Sequence, residues 1–114
     1  MADHIKIRKA DGDWTVRAGG AVLGETSNAL ELIEGDYPPV IYFPREDIAV
    51  AFLDHSDKTT HCPHKGDASY FSVITKSRTL ENTVWSYENP KNGMERIKGH
   101  LAFYTGDDVT VERI

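Results

Sequence analysis

The chain has 114 residues, enough for one ordinary domain that buries roughly two-thirds of the surface its unfolded form exposes. Hydrophobic residues make up 39% and charged residues 27%, with no low-complexity tract, which excludes a disordered chain. A net charge of -5 argues against phosphate backbones and anionic bilayers, so neither nucleic acid nor membrane is expected as a partner.

In chain order, HIKIRKA alternates apolar Ile5 and Ile7 with His4, Lys6 and Arg8, the period of a half-buried strand. A DGD turn leads to a second short strand, WTVRA, and the Gly19-Gly20 pair before AVLGETS suits a tight hairpin, so two hairpins are expected at the start. SNALELIEG is the best helical candidate, with Ser27 or Asn28 as cap and Gly35 just past its end. Pro38 and Pro39 then block continuation, and VIYF predicts a buried strand ending at Pro44. REDIAVAFLDH reads as strand or short helix, with Pro44 followed by Glu46 and Asp47 favouring a helix. SYFSVIT, NTVWSYE, HLAFY and VTVERI read as strands separated by turn signals such as ENPKNG and TGDD. The expectation is a single, mainly β domain over 1–114, mostly antiparallel, with one or two short helices. The N-terminus has no apolar leader and no window is long enough to span a bilayer, which predicts a cytoplasmic protein.

The densest chemistry lies in THCPHKGDASYFS, Thr60 to Ser72, with two histidines, the only cysteine, Lys65 and Asp67. A structural zinc needs four Cys or His ligands, yet no CxxC occurs. On a strand, adjacent His61 and Cys62 would point to opposite faces. No metal or other cofactor is therefore expected. A phosphate loop needs bare backbone amides ahead of the lysine, and Pro63 has none. Paired carboxylates for two-metal nucleotidyl transfer are no better placed: Asp11/Asp13 and Asp107/Asp108 lie in turn-like sequence, and Glu46/Asp47 follows no phosphate-binding segment. Cys62 has Lys65 and two histidines near it in sequence, which would favour a thiolate, although free cysteine most often packs as a small hydrophobe.

A set of aromatic and polar residues remains. Tyr42, Arg45 and Glu46 fall at one strand end, Lys65, Asp67 and Tyr70 at the start of another, and Trp85 and Tyr87, two apart, on one strand face. Each aromatic alone could fill a core and each charge could sit on a solvated rim.

YFPREDI, THCPHKGDASYFS, VWSYENP and IKGHLAFY resemble the successive motifs of the DUF427 family, over about Val16 to Val111. Tyr42, Pro44, Arg45, Glu46, Cys62, Lys65, Gly66, Tyr70, Trp85, Tyr87 and Tyr104 match its motif positions, while His64 stands where an aromatic is common. The resemblance implies two packed antiparallel sheets of the Mss4-like or β-tent type with an opening between them. It does not imply the zinc of β-tent relatives, whose CxxC pairs are missing, and a nucleotidyltransferase-type label attached to the family finds no support in the carboxylates. The resulting expectation is a pocket for a small polar or anionic molecule, formed by Tyr42, Arg45, Glu46, Cys62, Lys65, Asp67, Tyr70, Trp85 and Tyr87. Two alternatives stand beside it: a small enzyme using Cys62 or Glu46/Lys65 for nucleophilic or acid-base chemistry, and a protein-interaction module.

Overall fold

A computed structural model describes residues 4–114. Ten strands follow in chain order: β1 (Ile5–Lys9), β2 (Trp14–Ala18), β3 (Ala21–Thr26), β4 (Leu30–Glu34), β5 (Val40–Tyr42), β6 (Leu53–Cys62), β7 (Gly66–Ile74), β8 (Thr79–Ser86), β9 (Ala102–Phe103) and β10 (Val109–Arg113). The only helical elements among the described residues are single 3-10 turns at Arg45–Asp47, Val50–Phe52 and Glu95–Ile97. The fold is mainly β, as the alternation predicts, and no described helix is long and apolar enough to cross a membrane.

Where two sheets were expected there are three, all antiparallel, in the orders β1-β4-β5, β10-β2-β3 and β6-β7-β8-β9. Alternate residues of the four-stranded sheet join different apolar clusters, so both its faces are covered. Phe71, Val73, Val84 and Phe103 pack with Val16, Leu23, Phe43 and Val109, chiefly from the β10-β2-β3 side. Ala68, Tyr70, Tyr87 and Ala102 pack with Ile5, Leu32 and Tyr42, from the β1-β4-β5 side. Strand β5 serves both clusters, because consecutive Ile41 and Tyr42 point opposite ways.

Three local expectations need correction. SNALELIEG is not a helix: Leu30–Glu34 is the central strand of its sheet, with β1 on one side and β5 on the other, and hydrogen bonds to both outweigh a weak helical preference. Only the second of the two expected opening hairpins forms, β2 with β3, while β1 pairs with β4. REDIAVAFLDH is helical for one turn after Pro44 and one more at Val50–Phe52, then becomes the start of β6, which runs on through Cys62. The Thr60-to-Ser72 stretch is thus a hairpin whose turn is only Pro63-His64-Lys65.

Two glycines set the chain path. At Gly24 a Cβ would meet the Asp47 carbonyl oxygen at 2.3 Å, so only glycine allows the turn after Pro44 to lie against β3. At Gly66 φ is +112°, a backbone that side-chain-bearing residues rarely adopt, and this kink opens β7 directly after Lys65.

Candidate functional site

Between the β1-β4-β5 sheet and the facing side of the four-stranded sheet lies a cleft of about 190 Å³. Period-two alternation brings Tyr70 of β7 and its direct cross-strand partner Trp85 of β8 to the same face. Tyr87 follows two residues later on that face, and Tyr42 approaches from β5. Lys65 enters from the β6–β7 turn, held there because its carbonyl accepts a hydrogen bond from the Lys91 N–H at 2.9 Å.

Lys65 Nζ donates to Glu34 Oε1 at 2.6 Å. The lysine side chain is 11% exposed and the glutamate 23%, so the pair is mostly withdrawn from water. The hydrogen bond from Lys65 holds the Glu34 carboxyl below its ordinary range against the opposing effect of burial. His4 Nε2 lies 3.7 Å from Glu34 Oε2, and its ring meets that of His64 edge-on.

The aromatic groups differ in what they leave free. Trp85 Nε1 donates to the Tyr42 hydroxyl at 3.2 Å, which leaves the Tyr42 proton without an acceptor among the described residues. The Tyr70 hydroxyl lies 2.9 Å from Thr60 Oγ1 and 3.4 Å from the Tyr104 hydroxyl, whose pKa is pushed up to about 12, chiefly by that contact. Tyr87 is 6% exposed, and its hydroxyl has no protein partner among the described residues, yet it is not sealed from solvent. Tyr87 also lines the cleft. Burial raises the pKa of both Tyr42 and Tyr87, so near neutral pH each remains a phenol able to donate. Three groups with donors to spare, Lys65, Tyr42 and Tyr87, thus line one small space.

Of the nine residues expected at a pocket, five line this cleft: Tyr42, Lys65, Tyr70, Trp85 and Tyr87. Arg45 does not. It serves the opposite face, where Nε donates to the Gly99 carbonyl at 3.0 Å, Nη2 donates to Glu88 and to the fully buried Ser86, and the guanidinium lies over the Phe71 ring. Glu46 is exposed and makes no ion pair among the described residues. Asp67 is exposed and bonds to His61 at 2.7 Å, since residues 67 and 70 are three apart on a strand and must face opposite ways. Arg45 pairs with Glu88 and Lys65 with Glu34.

Cys62 is half-buried and packs against the cluster containing Tyr42 and Tyr87. Alkylation of the native protein at neutral pH is expected to be slow, and Cys62→Ser to cost about 1 kcal/mol or more through lost packing. Rapid, stoichiometric labelling by iodoacetamide would show instead an accessible thiolate.

Sequence reasoning missed Glu34 and left Tyr104 out of the site. Glu34 was assigned to the supposed helix. Tyr104 was visible as a motif match, and it lies 4.5 Å from Trp85 between ring centroids.

In a comparison with known families, the model of a domain of unknown function, DUF427, matches residues 6–113. No curated protein matches the chain.

Proposed function

The chain belongs to the DUF427 family, and from that premise we propose that its cleft binds a small polar molecule by a hydrogen-bond acceptor, a carboxylate foremost. The observation that carries this reading is the surplus of donors. The Tyr87 hydroxyl, on a side chain more than nine-tenths buried, has no protein partner among the described residues, and Tyr87 lines the same cleft as Tyr42 and Lys65. Nearly buried donors without acceptors are costly unless water or a ligand supplies them. A carboxylate offers about four lone-pair sites on two oxygens and could accept from all three groups at once. Glu34 holds the ammonium in position and uses one of its three protons, leaving two for a ligand. The volume, about 190 Å³, is below the usual range for drug-sized ligands and suits a short acid or the acidic end of a larger one.

Thermal-shift screening of small monocarboxylates against their amides and the matching alkylammonium ions tests the reading. A ligand at a hundredfold its dissociation constant adds about 2.7 kcal/mol, which in a domain of this size raises the melting temperature by about 10 °C. Tyr87→Phe, which removes only the hydroxyl, is expected to weaken the response by about tenfold in affinity and to leave the unliganded melt unchanged. Stabilisation by ammonium compounds alone, or a Tyr87→Phe response equal to the wild type, would reject it.

A further inference from the structure

We infer that the ligand of this cleft is an amphipathic acid whose flat apolar tail continues past Trp85 into an adjoining groove; the inference rests on the carboxylate reading above. The small cleft does not stand alone. A second cavity, about 580 Å³, shares Pro38, Val40, Trp85 and Tyr104 with it as common walls. The shared walls set the two side by side, with unlike far ends. One end holds Lys65, Glu34 and the two phenol donors. The other is walled by Trp14, Pro39, Ile41, Phe103 and Val111 and carries Glu31 as its charged residue.

This division fits a molecule with one acidic end and one apolar end better than a compact polar metabolite. Trp85 stands at the junction, its N–H tied to Tyr42 on the polar side and its ring against Tyr104 at 45° between planes. The indole is therefore fixed at the point where a ligand would pass from one chamber to the other. Trp14, at the far end, is likewise anchored, by Nε1 donating to the Asp11 carbonyl at 2.9 Å. Two anchored indoles, with Phe103 and two prolines, line the groove, a lining that suits an aryl or fused-ring tail. Glu31 is engaged by Arg8 at 2.6 Å, which leaves the apolar end without a free cation to attract a second acidic group. The acid is thus directed to the Lys65 end and the ring to the Trp14 end.

The test is an NMR titration of the full chain with butyrate, 4-phenylbutyrate and 4-phenylbutyramide. The phenyl group of 4-phenylbutyrate is expected to tighten binding over butyrate by about tenfold or more, given the apolar area it can bury. Shifts should appear in the Trp14 and Trp85 indole N–H signals with the phenyl acid, and only in Trp85 with butyrate. Thr105→Trp adds bulk from an exposed position that lines the groove, so it should erase the phenyl advantage while leaving butyrate affinity within about twofold. Trp14→Ala, checked for folding by its melt, should reduce the advantage independently. If the phenyl advantage is absent, or survives both variants, the groove inference is overturned while the carboxylate reading stands on butyrate alone. If 4-phenylbutyramide binds as tightly as the acid, the carboxylate reading itself fails, and the inference with it.

Discussion

Phe43→Ala is expected to lower the melting temperature by about 20 °C. Phe43 is fully buried, and its ring meets Phe103 edge to face at 5.7 Å, so truncation opens a cavity where strands of two sheets converge. Buried Phe-to-Ala changes cost about 3–5 kcal/mol, and each kcal/mol moves the midpoint of a domain of this size by about 5 °C. Little collapse can relieve the cavity, because the Phe43 backbone is fixed on both sides: its N–H donates to the Leu101 carbonyl at 2.8 Å and its carbonyl accepts from the Leu101 N–H at 2.9 Å. Tyr42→Phe is the matched control. It removes one hydroxyl and the Trp85 bond while keeping the ring, so its cost should be near 1 kcal/mol, with carboxylate affinity reduced. Paired thermal melts decide the matter, and a drop of less than about 5 °C for Phe43→Ala would mean that the core repacks around the gap.

The contrast between these neighbours also indicates what the sequence could reveal. Tyr42 and Phe43 must face opposite ways on any strand, so their division between cleft and core follows from local geometry alone. Trp85 and Tyr87 were legible on the same ground, and both line the cleft. Strands rich in Val, Ile, Tyr and Phe announced themselves for the same reason. What failed was long-range. LELIE carries too few residues to separate a two-residue from a 3.6-residue period, and Ser27, Asn28 and Gly35 imitate helix caps. Its strand identity comes from pairing with β1 and β5, which no local signal encodes. Losing β4 also concealed Glu34, 31 residues from Lys65. Arg45 was placed at the site by proximity to Tyr42, yet the turn after Pro44 carries it to the other face. Alternation within a strand is decidable from sequence, whereas which strands meet across a cleft depends on the whole fold.

Lys65→Met should be the most disruptive change at the cleft, and its consequences should depend on pH. The lysine head lies in a mostly enclosed ion pair, and removing one partner leaves Glu34 charged without its cation. For fully buried pairs such a loss is about 3–5 kcal/mol; water can still reach Glu34, which reduces the expected cost to about 2 kcal/mol, or a fall of about 10 °C in melting temperature. The double variant Glu34→Gln with Lys65→Met should recover most of that loss, since no unpaired charge remains. The sign of the pH dependence follows from Glu34, whose folded pKa is depressed, chiefly by the hydrogen bond from Lys65. Its contribution to stability is therefore complete above the ordinary carboxylate range near 4.5, and is lost as pH falls through the lower folded value. Wild type and Glu34→Gln should differ at pH 7 and converge in acid. In Lys65→Met the depression is gone, so the gap from wild type should likewise close as pH falls. At neutral pH the same variant should lose carboxylate binding by about a hundredfold, because the only ammonium among the described residues of the cleft is gone. Denaturant melts from pH 2.5 to 7 measure the first effect and butyrate titration the second. A gap that stays constant with pH would assign the cost of Lys65→Met to lost packing of its aliphatic stem, whereas convergence in acid together with lost binding assigns it to the charge.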